Sequence, residues 1–368
     1  MIKFKFKLPT KNPLSVSSTA RGFTIVELII SIAILAIITP AVTILLTFIT
    51  NGLTSYEAST QLRLVNQRTL NRIYTRLGSS KRIFQNNTSD LAFLNTIDLA
   101  GSGYPAAISG STLPTIQPTS TLIPGTSSFI ASNVGNCLFF ANNENTWLLS
   151  SGSVRIDTYC FNYYYLAANP KPIPGAQSYS MVEFRSYDFA DYNQLQSISG
   201  VQAQRDIASE LYSYGVVYAW DPTSTTASSA FYNIASNGNV TAAGTIPIHG
   251  RGHAYGRYLH NKVKTGGLPA YVAPSASDIY QTNILTGILF GGYKYGVSCN
   301  SAQWSKAPKT VPMYATASNS FPGGFEVAIA GPSAGREVLM RCVLVAKGSM
   351  RIIPGDDTQV MCSARDLW

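Results

Sequence analysis

Arg21-Gly22-Phe23-Thr24-Ile25-Val26-Glu27-Leu28-Ile29-Ile30 is the stretch on which the reading of this chain turns. From Leu28 the sequence runs on to Tyr56 without a charge, as LIISIAILAIITPAVTILLTFITNGLTSY, 29 residues rich in Ile and Leu. At about 1.5 Å per helical residue the run reaches about 44 Å, enough to cross a hydrocarbon core of about 30 Å. A soluble core helix would be shorter and would carry polar side chains at regular spacing, whereas most of this segment offers only Thr and Ser. It reads as membrane-spanning, with Pro40 predicted to kink or locally melt the helix because it removes one backbone donor.

The charge pattern around the run fixes an orientation. The 368 residues carry 27 Lys+Arg against 18 Asp+Glu, for a formal +9 and a pI near 9.2, a balance that taken whole suggests a nucleic-acid or acidic-surface binder. Residues 1–22 hold Lys3, Lys5, Lys7, Lys11 and Arg21 with no acid. Residues 23–82 add Arg63, Arg68, Arg72, Arg76, Lys81 and Arg82 against Glu27 and Glu57. That leaves 16 basic and 16 acidic side chains after residue 82, so the bulk of the protein is formally neutral. The basic leader before the apolar run predicts a cytoplasmic N-terminus and an extracytoplasmic body. A cleaved secretory signal would have a shorter apolar region followed by a small-x-small site, and none follows here. With 45% hydrophobic residues, disorder is excluded.

The boundary of leader and span, Gly22-Phe23 with Glu27 beyond it, resembles the class III signal of type IV pilins and of the pseudopilins of type II secretion systems. The match is detailed over residues 21–50 and extends to about residue 80 with the long helix. The resemblance implies cleavage by a prepilin peptidase between Gly22 and Phe23 and N-methylation of the new Phe23 amine. It further implies that Glu27, then the fifth residue, pairs with the terminal amine of a neighbouring subunit during assembly. The competing reading of Glu27 is a carboxylate that snorkels at the membrane edge. An unpaired acid within a span is costly, so such residues usually have a partner.

Beyond the span, Glu57–Leu77 carries Ala58, Leu62, Val65, Ile73 and Leu77 at helical spacing, which predicts an amphipathic continuation of the same helix. From Thr24 to Leu77 the stem would be about 81 Å long. Arg68, Arg72 and Arg76 recur at i, i+4 and i+8 on another face, read as solvated, with DNA or anionic lipid as the competing use. Gly78-Ser79-Ser80 then stops the helix.

After residue 82 the sequence loses long helical periodicity. Short β-rich runs recur at Cys137–Phe140, Val154–Leu166, Tyr179–Phe184, Tyr214–Trp220, Gly287–Tyr295, Phe325–Ala330 and Val338–Ala346, which predict antiparallel sheet. The fold class expected is α+β: a long N-terminal helix packed on an antiparallel sheet body, with about 195–310 as a large β-rich insertion or second lobe. The expected segments are the leader 1–22, the transmembrane assembly helix 23–56, its amphipathic continuation 57–80 and the body 81–368. Loops at 99–136 and 221–250, rich in Ser, Thr, Gly and Pro, are expected on the surface.

Five cysteines suit an extracytoplasmic body. Cys342 and Cys362 flank Pro354-Gly355-Asp356-Asp357, and the resemblance implies a C-terminal disulfide loop. Cys137 and Cys160 form a second candidate pair, leaving Cys299, while five reduced thiols remain an alternative. The Asp356-Asp357 pair is weak evidence for Ca²⁺. His249, His253 and His260 lie within twelve residues but among Arg251, Arg257, Lys262 and Lys264, which would repel a cation. With Tyr255 and Tyr258 interleaved, the four basic residues make this loop the candidate polyanion contact. Gly331-Pro332-Ser333-Ala334-Gly335 fits a hydrolase elbow pattern, but a strand-like segment and no His follow it, so a hairpin turn is expected. No metal site, cofactor or catalytic constellation is expected.

The resemblance thus implies a minor pilin-like subunit of a type IV pilus, a type II pseudopilus or a related export machine. Its partners would be other pilin or pseudopilin subunits, the prepilin peptidase and the inner-membrane assembly platform. Its location would be the inner membrane, single-pass, and then the filament. The mature 346 residues exceed a typical major pilin, which favours a low-copy subunit near the tip. In the secretion systems the extreme tip subunit typically lacks the equivalent of Glu27, which favours a position below another subunit or a different machine. The alternatives are a tip adhesin or a DNA- or polysaccharide-binding pilin, and, further off, a membrane-anchored enzyme.

Overall fold

The computed structural model describes residues 24–122, 131–150, 152–170, 173, 178–244, 248–251, 288–290, 295–298, 313–314, 324–346 and 355–367. Two compact units divide the chain at Leu53/Thr54. Helix α1 (Ile25–Leu77) contributes its first part to one unit and its last part to the other.

In the first unit α1 is helical without interruption through Pro40, so the local melting expected there does not occur. Pro40 removes one donor from the ladder, and the hydroxyls on both sides of it find acceptors within the helix. Thr39 Oγ1 donates to the Leu35 carbonyl at 2.7 Å and Thr43 Oγ1 to that of Thr39 at 2.8 Å. Ser31 and Thr47 donate to the carbonyls four residues earlier in the same way. This internal satisfaction lets hydroxyls enter an apolar medium. The helix is long and apolar enough to cross a membrane, and none of its most apolar window is buried inside the protein.

In the second unit, Leu62, Asn66, Thr69, Leu70, Ile73 and Leu77 of α1 are buried at i, i+4, i+7/8, i+11 and i+15, one helical face. This face packs on a sheet whose path is β1 (Ser80–Phe84), β3 (Leu138–Leu149), β4 (Val154–Ala168), β5 (Ser178–Asp191), β11 (Tyr295–Ser298), β13 (Arg336–Ala346) and β12 (Phe325–Ala330). β14 (Gly355–Ala364) pairs along the other side of β13, and β10 (Ile288–Phe290) pairs with β5. β6 (Tyr218–Trp220) adds to β5 in parallel, followed by β7 (Phe231–Ile234) and β8 (Val240–Ala242), each antiparallel to the last. A short parallel pair, β2 (Ile97–Asp98) with β9 (Ile248–His249), stands apart. The fold is α+β, and all the main strand pairings except β5 with β6 are antiparallel.

The long strands carry two cores. On the helix side, Leu138, Phe140, Tyr164, Leu166 and Met181 meet the α1 face together with Val338, Met340 and Leu344. On the other side, Phe139, Phe161, Tyr163, Tyr165 and Phe184 pack with Phe84 and Phe93. The alternation of β3 and β4 explains both, since neighbouring side chains point to opposite faces. A sheet covered on both faces needs continuous apolar runs, which is why Val154–Leu166 (VRIDTYCFNYYYL) reads as nearly unbroken β-former.

Several expectations change. Helices α3 (Tyr192–Gln196) and α4 (Val201–Ser213) occupy a region read as free of helical periodicity. Ile207, Ala208 and Leu211 of α4 pack on Leu149, Ile156 and Ala190, so the described part of 195–310 extends the same sheet region. The loop expected to be superficial after residue 99 buries Tyr104, Leu113, Ile116 and Leu122. These apolar residues cover sheet faces that α1 and α2 (Thr88–Leu94) leave open.

Candidate functional site

The site begins at the N-terminus of α1. Thr24 N–H and Thr24 Oγ1–H both donate to Glu27 Oε2 at 3.0 Å, and Glu27 N–H donates back to Thr24 Oγ1 at 3.3 Å. This is a reciprocal capping box, in which two groups that the helix start leaves unpaired are satisfied by one Thr-x-x-Glu pair. The Thr24/Glu27 spacing was the signal by which the sequence could have announced it. Gly22 and Phe23, the expected cleavage and methylation residues, lie outside the described residues. Around Glu27 the helix surface is apolar and exposed, with Ile25 at 77%, Val26 at 63% and Ile30 at 53%. A surface of this kind is one that lipid or another apolar helix covers.

The body end of the helix is held by charge. Arg72 Nη2 lies 2.7 Å from Glu183 Oε2, and Arg76 Nε lies 3.3 Å from Glu183 Oε1. Tyr164 Oη donates to the same Oε1 at 2.7 Å, and Arg76 Nη1 donates to Asn162 Oδ1 at 2.9 Å. Of the three arginines expected on a solvated stripe, Arg68 is exposed and the other two turn to the sheet. The reason is Glu183, a carboxylate with 2% exposure whose charge needs partners. No spacing in the sequence marks it.

A second ionic cluster lies where β3, β4 and β5 bulge together. Glu144 is the extra residue on β3, and the register slips again between Cys160 and Asn162. Glu144 Oε1 takes Arg185 Nη2 at 2.5 Å and lies 3.1 Å from Arg251 Nη2, which is also 3.3 Å from Asp188 Oδ1. Burial alone would raise the Glu144 pKa, but Arg185 and Arg251 together hold it below the usual range. Burial pushes Asp188 up in spite of Arg251. Arg251, expected as a polyanion contact, is therefore committed to two partly buried carboxylates of the protein itself. Arg257, Lys262 and Lys264 lie outside the described residues, as do His253 and His260. His249 Nδ1 is 3.2 Å from Asp98 Oδ2.

The disulfides are not formed. Cys137, Cys160, Cys342 and Cys362 are buried free thiols. On the β13/β14 hairpin Cys342 faces Thr358 and Cys362 faces Val338, an offset of four residues or about 13 Å along the strand, beyond the roughly 7 Å a bridge spans. Cys160 faces Asn142, five residues beyond Cys137, so that pair is out of reach too. Asp356 and Asp357 belong to β14 rather than to a turn. Asp356 accepts from Asn66, and Asp357 takes Arg341 at 2.9 Å, while Arg341 also holds Glu326. Among the described residues no three acidic, His or Cys side chains gather as a metal would require. Ser333–Gly335 is a single 3₁₀ turn joining β12 to β13, as expected, with Ala330 opposite Glu337.

A family model described as the prokaryotic N-terminal methylation motif matches residues 17–39. No curated protein and no solved structure matches the chain. The matched segment contains Gly22, Phe23, the Thr24/Glu27 cap and the first turns of α1, and it supports a type IV pilin-like or pseudopilin family for this protein.

Proposed function

We propose that this protein is a minor pilin-like structural subunit of a type IV pilus, a type II pseudopilus or a related export machine. In this reading a prepilin peptidase cuts between Gly22 and Phe23 and the new amine is methylated. The chain waits in the inner membrane with its leader end in the cytoplasm and its β-rich body outside. It then enters a filament through α1, where Glu27 meets the amine of an adjacent subunit. The observation that carries the reading is the methylation motif over residues 17–39, set at the head of an exposed, charge-free helical surface. The body supports a structural role: its arginines at residues 72, 76, 82, 336 and 341 are spent on carboxylates within the fold. Arg251 is spent in the same way, which weakens the polyanion-binding alternative.

The test is intact-mass analysis of the protein from a cell that contains a prepilin peptidase. The expected mass is that of a chain starting at N-methylated Phe23. A chain still starting at Met1 in such a cell overturns the proposal.

A further inference from the structure

We propose that Thr24 is a positioning residue for Glu27, holding one carboxylate oxygen within its own chain and leaving the other for the cationic amino terminus of an adjacent subunit. The inference rests on the assembly role proposed above for Glu27. Both Thr24 donors converge on Oε2, and among the described residues no hydrogen bond reaches Oε1. The two oxygens thus differ in their bonding although they belong to one group. The return bond from Glu27 N–H to Thr24 Oγ1 fixes the hydroxyl, which then has its hydrogen directed at Oε2 and nowhere else.

Two consequences follow from the chemistry. A carboxylate in an apolar medium is costly when bare and less so when it accepts hydrogen bonds, so the cap makes Glu27 tolerable in a subunit that has no neighbour. The cap also sets the side-chain rotamer before the neighbour arrives, and a group ordered in advance loses less entropy on pairing. Cleavage between Gly22 and Phe23 leaves the Phe23–Thr24 peptide bond and its N–H intact, so the cap survives maturation. The hydroxyl is the part that substitution can remove. Thr24→Val keeps the β-branched shape and the N–H but deletes the donor, whereas Thr24→Ser keeps the donor.

The full chain is expressed in a peptidase-positive cell as wild type, T24V and T24S. Processing is read by intact mass, and assembly by the amount of chain that mechanical shearing releases into the filament fraction. T24V should be cut and methylated yet fall about tenfold in that fraction, as expected for losing one hydrogen bond to a charged group, while T24S stays near wild type. T24V equal to wild type overturns the inference. A wild-type chain that stays uncut and unassembled overturns instead the reading beneath it. The cap itself is decided separately, by hydrogen exchange at the Glu27 amide of the full chain in detergent micelles. T24V should speed that exchange several-fold and T24S should not, and equal exchange in all three removes the cap.

Discussion

Arg72 on α1 and Glu183 on β5 meet as a two-point ion pair, with Nη2 2.7 Å from Oε2 and Nε 3.0 Å from Oε1. Arg76 and Tyr164 add to the same carboxylate, so four bonds from one helix and one neighbouring strand converge on a side chain that water hardly reaches.

Glu183→Leu should therefore destabilise the body. Removing one member of a buried pair costs about 3–5 kcal/mol, and the partial exposure of Arg72 puts the expected loss at the lower end, about 3 kcal/mol. Arg72→Ala, which leaves Arg76 and Tyr164 on the carboxylate, should cost about 1 kcal/mol. Urea denaturation of the detergent-solubilised chain, followed by tryptophan fluorescence, measures both. Equal losses from the two variants would contradict the convergence on Glu183.

Asn66 is a polar side chain on the buried face of α1, where its Nδ2 donates to the Cys342 carbonyl at 2.9 Å and to Asp356 Oδ2 at 2.8 Å. Asn66→Leu restores an unbroken apolar face and would be stabilising if periodicity alone decided. We expect a loss of about 2 kcal/mol, because a buried carbonyl and a carboxylate each lose a donor. The shift of the denaturation midpoint decides the sign.

Glu144 and Asp188 give the body opposite responses to pH. Glu144 is held below the usual carboxylate range on folding, so its stabilisation is present above its unfolded pKa and is lost as pH falls through the folded one. Asp188 is raised by burial, so the folded state favours its protonated form, and stability declines as pH climbs through the raised value. Glu144→Gln should lower stability at neutral pH and remove part of the loss on acidification below about pH 4. Asp188→Asn should flatten the decline above the ordinary carboxylate range. Midpoints measured from pH 3 to pH 8 separate the two.

The buried thiols should be inert in the folded protein. Burial pushes Cys137 and Cys362 up to about 12, and Cys342 is raised as well. The thiolate is the reactive form, so iodoacetamide at neutral pH should leave all three unmodified until the chain unfolds. With Cys299 replaced by Ser, mass analysis of protein denatured without reductant should then show four alkylated residues. Two fewer would indicate a disulfide, against the β13/β14 register for Cys342 with Cys362 or the β3/β4 register for Cys137 with Cys160.

The strands were legible where their sequence runs were long. Val154–Leu166, Tyr179–Phe184, Phe325–Ala330 and Val338–Ala346 all fall within β4, β5, β12 and β13. Helix α4 was not, because only Ile207, Ala208 and Leu211 of its thirteen residues are buried, too few for a clear period. The disulfide pairing failed for a related reason. Proximity in sequence says that two residues share a hairpin, whereas a bridge depends on register, which the β13/β14 pairing sets along the whole strand.

What the sequence determined by itself is local. A basic leader, Gly22-Phe23, one carboxylate at Glu27 and 29 charge-free residues specify a helix long and apolar enough to cross a membrane, because helix formation and transfer into lipid depend on neighbours along the chain. What only the tertiary structure decided is which charges are spent. Arg72, Arg76, Arg251 and Arg341 look alike in sequence to any solvated arginine, and each was drawn into an ion pair, Arg341 fully buried and the others partly, when strands far away in the chain brought Glu183, Glu144 and Glu326 against them. A buried carboxylate must find a cation wherever the fold offers one, and that choice is made in space rather than along the chain.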